Sequence, residues 1–230
     1  MNKRFFLGSV AVAAATLAAG NAMAQANSTP FKIGLITPLT GQQATTGKQM
    51  EAGARAYMAM NGDTVNGRKI ELIVKDDGGL PDASKRIAQE LVVNDKVNVL
   101  AGMGLTPIAL AVAPIATQSK TPEVVMLAAT SIITEASPYI VRTSFTIPQS
   151  AVAMAEWAPK NGIKKVVTLV SDYGPGLDGE KYFKERFTFN GGQVIESLRV
   201  PLRNPDFAPF LQKVRDLKPD AMPTRTTLPT

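Results

Sequence analysis

The stretch "VNVLAGMGLTPIALAVAPIA", residues 97–116, decides how this chain is read. It opens as an apolar run of strand length and changes character across Gly102–Gly104. From Thr106 it continues as a helix, with a hydroxyl residue at the N-cap and Pro107 at the first helical position, where a missing N–H costs no hydrogen bond. A buried strand that runs straight into a helix is half of a strand–helix–strand unit. In an open parallel sheet that passage lies at the carboxyl end of the strand, where helix N-termini offer unpaired N–H groups to ligands.

The same passage recurs on both sides. "FKIGLIT" (31–37) is β-branched, bounded by Pro38, and reads as a buried strand. "GKQMEAGARAYMAMNG" follows as a helix, with Met50, Ala54, Tyr57 and Met58 at helical spacing and Asn61-Gly62 as its stop. A turn at Asn66-Gly67 leads into a second strand, "KIELIVKDD", and "PDASKRIAQELVVND" is a second helix with Ile87, Leu91 and Val92 on one face. After "VNVLAG", the segments "EVVML" (123–127) and "YIVRTSF" (139–145) read as the fourth and fifth strands. The rhythm then restarts: helix "PQSAVAMAEWAPKN", strand "KKVVTLV", a helix from Pro175 to about Asn190, strand "QVIESLRV" (193–200), helix "PDFAPFLQKVRDLK". Repeated units of this kind predict an α/β fold of two doubly wound parallel-sheet lobes with right-handed crossovers. The boundary falls in "RTSFTIPQS" (142–150), giving lobe one as residues 25–146 and lobe two as 147–230.

The tail departs from the rhythm. After "VRDLKPDAM" a strand is due, but "PTRTTLPT" (223–230) carries two prolines and one large apolar residue. Proline cannot donate to a central ladder, so the tail from about residue 222 is expected not to be a strand. Lobe two is then incomplete, with at most two strands, and truncation of a longer protein is the simplest account.

Composition limits the chemistry. The N-terminus has Lys3 and Arg4, an apolar run from Phe5 to Ala19, and "AMA" ending at Ala24, the three-part pattern of a cleaved secretory signal over residues 1–24. Its removal takes two basic residues from a chain of net charge +6, leaving +4. The charges are interspersed without a basic block, which argues against a nucleic-acid partner. The chain has no Cys and no His. That excludes disulfides, thiol nucleophiles, a lipid-modified cysteine, Ser-His-Asp chemistry and the common zinc sets, so an exported product is expected free in the periplasm, without metal or cofactor. The adjacent carboxylates Asp76-Asp77 point to opposite faces of an extended segment and read as turn and cap residues.

Three strand ends offer a site. The polar loop "TPLTGQQATTG" after the first strand is equally a reaching loop or a plain connection. At "GMGLTP" the third glycine of the dinucleotide fingerprint is missing, no phosphate-loop motif exists, and no Lys or Arg lies between Lys96 and Lys120. A singly charged carboxylate suits this helix start better than a phosphate, although Thr106 acting as a helix cap alone is an equal alternative. The third is "AATS", where Thr130 adds a hydroxyl at the end of the neighbouring strand. In the second half, Tyr173 in "SDYGPGLDGEKYF" is placed to reach across a cleft or to pack on its own helix.

In order along residues 31–221, "FKIGLITPLTG", "GRKIELIVKDDGGLPDASKRIAQELV", "GLTPIALAVAPIA", "AATS", "YIVRTSFT", "VVTLVSDYGPGLDGEKYFKERF" and "PDFAPFL" resemble the periplasmic solute-binding proteins of branched-chain amino acid ABC transporters, the leucine/isoleucine/valine-binding family. The resemblance implies two type I periplasmic-binding lobes with ligand trapped between them. It implies that Thr106 contacts a ligand carboxylate, that Ala128 and Thr130 hold the same end of the ligand, and that Tyr173 lines the cleft. Leu105 and Thr46 complete the expected ligand-binding set. The expected function is a monomeric, non-enzymatic receptor delivering a branched-chain amino acid or similar small carboxylate to an inner-membrane permease. The branch that binds aromatic acids fits as well. A ligand-sensing module and a nucleotide-binding enzyme are the competing classes, and the missing phosphate motif weighs against the latter.

Overall fold

The computed structural model describes residues 29–201 and 205–225. The signal-type segment, residues 1–24, and the last five residues of the tail lie outside the described residues.

Six strands form the first sheet, in the order β2-β3-β1-β4-β5-β6: β1 (Phe31–Thr37), β2 (Thr64–Val65), β3 (Arg68–Asp76), β4 (Val99–Gly102), β5 (Glu123–Val125) and β6 (Ile140–Arg142). All pairings are parallel except the β2–β3 hairpin. Its turn, Asn66-Gly67, has both φ values positive, at 49° and 76°, the backbone twist that two-residue hairpins select. Three helices belong to this lobe: α1 (Ala44–Asn61), α2 (Pro81–Val93) and α3 (Thr106–Ser119). The core joins Ile36, Leu91, Leu100, Ile108, Val112 and Val125, each fully or almost fully removed from water. Each side chain of that size contributes about 1.5–3 kcal/mol by burial.

The second lobe has α4 (Ile147–Lys160), β7 (Lys165–Ser171), α5 (Gly174–Phe189), β8 (Gln193–Val200), α6 (Ala208–Leu217) and β9 (Thr224–Arg225). Its sheet is ordered β8-β7-β9 and is parallel throughout. One face is covered by α4 and α5 through Ala151, Ala155, Phe183 and Phe187, the two rings stacked at 5.2 Å. The other face is covered by α6, whose Phe210 and Val214 meet Leu169, Leu198 and Val200. The α/β architecture of two parallel-sheet lobes is therefore the one the sequence predicts.

Three details differ. The tail does make a strand: Thr224 and Arg225 pair with Leu169 and Val170, and Ala221 bridges to Val166. Proline lacks a donor but keeps its acceptor, and Pro223 O accepts from Leu169 N at 3.0 Å. Edge position tolerates the missing N–H. Asp220 sets the register, its Oδ2 accepting from Lys164 N and Lys165 N at 2.8 Å each. Second, β2 is a strand in its own right. Third, Tyr57 on α1 points outward at 69% exposure, because α1 rests on the sheet along the Gly47 side.

Candidate functional site

At the carboxyl end of β4 the chain must turn into α3 while touching β1. Gly102 makes this possible: its φ is 116°, and a Cβ there would lie 2.0 Å from Ile36 O. The close approach is thus to the neighbouring strand β1. Met103 N then donates to the same Ile36 carbonyl at 3.2 Å.

The helix boundary lies one residue earlier than the sequence indicates. Leu105 is the N-cap, with extended φ and ψ, and Thr106 is the first helical residue. The Leu105 carbonyl accepts from Ile108 N and Ala109 N, both at 3.1 Å, while the side chain is half-buried. No side chain caps α3. Thr106 is therefore not a cap, and its hydroxyl turns instead to the neighbouring strand end. Thr106 Oγ1 and Thr130 Oγ1 are 2.7 Å apart, and the two residues are 4% and 3% exposed.

Thr130 is held by its backbone. Arg142 Nη1 donates to Thr130 O at 2.7 Å and to Ala128 O at 3.3 Å, fixing the segment from behind. Burial lowers the guanidinium pKa from its ordinary value, opposed by the nearby Asp178 carboxylate. Ala128 is buried, and its N–H donates to Met103 O at 3.1 Å. Both backbone polar groups of Ala128 are thus engaged within the lobe.

From the other lobe, the start of α5 sits on this pair. Tyr173, half-buried, is the N-cap of α5, and no side chain caps that helix. A Cβ on Gly174 would stand 3.3 Å from Thr106 Cγ2 and 3.4 Å from Thr130 Oγ1. Two helix N-termini therefore meet over two buried hydroxyls, an arrangement whose dipoles favour a negative group. One turn further along α5, Asp178 accepts from Ser131 N and from Ser131 Oγ, both at 2.8 Å.

The structure brings Leu105, Thr106, Ala128, Thr130 and the Tyr173-Gly174 helix start to one place. Thr46 lies in the first turn of α1, half-buried, its hydroxyl 3.5 Å from Gln43 Oε1. The loop before it is held by Asp76, which accepts from Thr40 Oγ1 at 2.7 Å, Leu39 N at 2.8 Å and Gly78 N at 2.9 Å. The Thr40 hydroxyl, together with these backbone donors, holds that carboxyl below its usual pKa against the opposing effect of desolvation. Asp77 accepts from Gly79 N and Ser84 Oγ, so both carboxylates serve the turn as their spacing implies. Sequence reasoning missed Arg142, Ser131 and Asp178 as a set. Their signals were an arginine ending an apolar strand and an aspartate one helical turn beyond Gly174.

One cavity lies away from this pair. A space of about 160 Å³ between α4, α5, β7 and Pro223–Thr224 is lined mainly by Ala151, Met154, Thr168 and Phe183. It sits on the sheet face beneath the helices rather than at the strand ends, so the hydroxyl pair, and not the void, marks the site.

Comparison with known proteins bears on this geometry. A solute-binding protein of an ABC transporter from Rhodopseudomonas palustris BisB5, solved with 3,4-dihydroxybenzoic acid, is 62% identical with a TM-score of 0.83, over 86% of this chain and 54% of that one. A second from R. palustris, solved with 4-hydroxybenzoate, is 45% identical with a TM-score of 0.83, over 85% and 54%. Among curated proteins, the Leu/Ile/Val-binding protein homolog 6 of Brucella abortus (strain 2308) is 46% identical over 207 residues, 90% of this chain and 52% of its own length. The chain spans about half the length of the curated relatives it matches. A family model described as periplasmic binding protein matches residues 30–228, nearly the whole of both lobes, and the chain belongs to that family.

Proposed function

We propose that this chain is the substrate-binding component of an ABC importer, acting in the periplasm without catalysis and as a monomer. It takes a small carboxylate between lobe one (25–146) and lobe two (147–230) and hands it to an inner-membrane permease. The observation that carries this reading is the buried Thr106–Thr130 hydroxyl pair beneath two uncapped helix N-termini. One hydroxyl of the pair donates to the other, which leaves one hydroxyl hydrogen for a ligand carboxylate oxygen, and a hydrogen bond to a charged group is worth about 1.5–3 kcal/mol. Ala128, Leu105 and Thr46 shape the surroundings of that end of the ligand, and Tyr173 covers the rest of it with an apolar ring and a polar tip. Ligand contacts to both lobes then stabilise the closed arrangement.

The ligand we favour is a hydroxylated aromatic acid, supported by 62% identity to a protein solved with 3,4-dihydroxybenzoic acid. A branched-chain amino acid is the second reading, favoured by the name of the 46% identical Brucella relative. Isothermal titration with 3,4-dihydroxybenzoate, 4-hydroxybenzoate and leucine separates them. Saturable heat from the aromatic acids alone is expected, heat from leucine alone selects the second reading, and heat from none of them refutes the carboxylate site. Stabilisation by ATP or NAD instead would favour a nucleotide-binding enzyme.

A further inference from the structure

Among the described residues, one charged side chain reaches from the second lobe into the first with both of its oxygens satisfied there. Asp178, on α5 and 9% exposed, accepts from the Ser131 N–H through Oδ2 and from the Ser131 hydroxyl through Oδ1, each at 2.8 Å. Ser131 follows Thr130 directly and opens a short 3₁₀ turn, Ser131–Glu135, that no side chain caps. Its amide is one of the donors such a turn leaves over, and the carboxylate of the other lobe takes it. Arg142, at the end of β6, grips the carbonyls of Ala128 and Thr130 and faces Asp178 electrostatically. One lobe thus presents a donor pair on a backbone that an arginine immobilises, and the other presents the acceptor on a helix.

We propose that Asp178 is an interlobe clasp: by accepting both hydrogen bonds from Ser131, on a segment that Arg142 positions, it holds the second lobe closed over the Thr106–Thr130 pair. The physical case is one of placement. Gly174 and Asp178 are four residues apart and share a face of α5. The first lies against the two threonine side chains and the second binds the residue next to them. Closing the cleft and making the clasp are therefore the same movement. A ligand under α5 leaves only when the clasp opens, so the clasp lengthens residence rather than hastening entry. This inference rests on the two-lobe capture reading above but on no particular ligand.

A ligand-free experiment tests it. The chain has no cysteine, so single cysteines at exposed Gln49 on α1 and Lys184 on α5 accept spin labels without competition. In the parent chain one short interlobe distance is expected. Asp178→Ala should add a longer population, and the Ser131 amide should exchange with deuterium about ten- to a hundredfold faster, the loss of one charge-assisted bond. Asp178→Asn can still accept from the amide and donate to the hydroxyl, and should fall between. Exchange at the β7 amides reports whether lobe two stays folded. Ser131→Ala, whose substitution is in lobe one, repeats the distance measurement should Asp178→Ala unfold its own lobe. An unchanged distance distribution and unchanged Ser131 exchange in the folded variants overturn the clasp. Failure of every carboxylate to bind, with the distance shift intact, would refute the ligand reading alone.

Discussion

The two lobes solve the same passage from strand to helix and then use it differently. In the first, Gly102 brings the chain to within a Cβ-excluding distance of Ile36 O, and in the second Gly176 does so against Ser171 O, at 2.0 and 1.9 Å. The helix after Gly102 and the helix that holds Gly176 in its first turn both have a proline in their first two positions and no side-chain cap. The first lobe then places a hydroxyl, Thr106, at the helix start, whereas the second places Gly174. One lobe places side-chain hydroxyls at the seam and the other a glycine, whose missing Cβ lets the start of α5 pack directly against them. In the proposed capture site this asymmetry matters, since a second side chain at the seam would keep the start of α5 from closing on the threonine pair.

The glycine pair is where that comparison breaks most severely. Gly102→Ala combines overlap with Ile36 O and a φ of 116° that an L-residue rarely adopts, and should cost about 4 kcal/mol. Gly176→Ala meets overlap only, because no left-handed φ is involved, and should cost less. Chemical denaturation of the two variants checks the order, and equal losses would show that backbone strain contributes nothing.

The buried glutamates extend the contrast. Glu123 in β5 is wholly buried, neither oxygen has a partner, and desolvation raises its pKa to about 8. A carboxyl whose folded pKa lies above its unfolded value of 4.5 carries no ionisation penalty well below pH 4.5, and the fold loses stability as the pH rises from there toward 8. At pH 7 the penalty is about 3 kcal/mol by proton linkage. Glu123→Gln should therefore raise the melting temperature at pH 7 and have little effect at pH 4. A gain of the same size at both pH values would contradict the assignment of the cost to ionisation.

The threonine pair comes next in size. Thr106→Val together with Thr130→Val keeps the shape and removes both hydroxyls, and should weaken carboxylate binding more than tenfold, about 1.4 kcal/mol or more. Titration calorimetry on the double variant reads this directly, and an unchanged affinity would detach the site from the hydroxyls.

The smallest effect belongs to the glutamate that has a partner. Glu180 in lobe two accepts from Arg199 Nε at 3.0 Å and from Nη2 at 3.2 Å. Arg199 is half exposed, so screening limits the pair, and Glu180→Gln should destabilise by about 1 kcal/mol. The sign is opposite to that expected for Glu123→Gln at pH 7. Denaturant midpoints of the two variants, compared at that pH, test whether partnering alone decides it.

Much of this was legible in the residues. Strand β1 and strand β8 have the boundaries that their β-branched runs predict, because a buried strand needs a continuous apolar segment and turn residues end it. The tail is not legible in this way, because proline lacks a donor but at Pro223 the ladder uses its carbonyl. The sequence also placed Thr106 and Thr130 at adjacent strand ends. It could not show that they bond to each other rather than cap their own helices.

Local pattern therefore determined the elements, their alternation, the α/β class and the polar residues at the strand ends, since periodicity and turn chemistry act over a few residues. Tertiary structure alone decided that Arg142 grips Ala128 and Thr130, that Asp178 reaches Ser131 across 47 positions of chain, and that Glu123 is left without a partner. Those contacts depend on how the crossovers bring distant segments together, and no spacing along the chain encodes a distance between them.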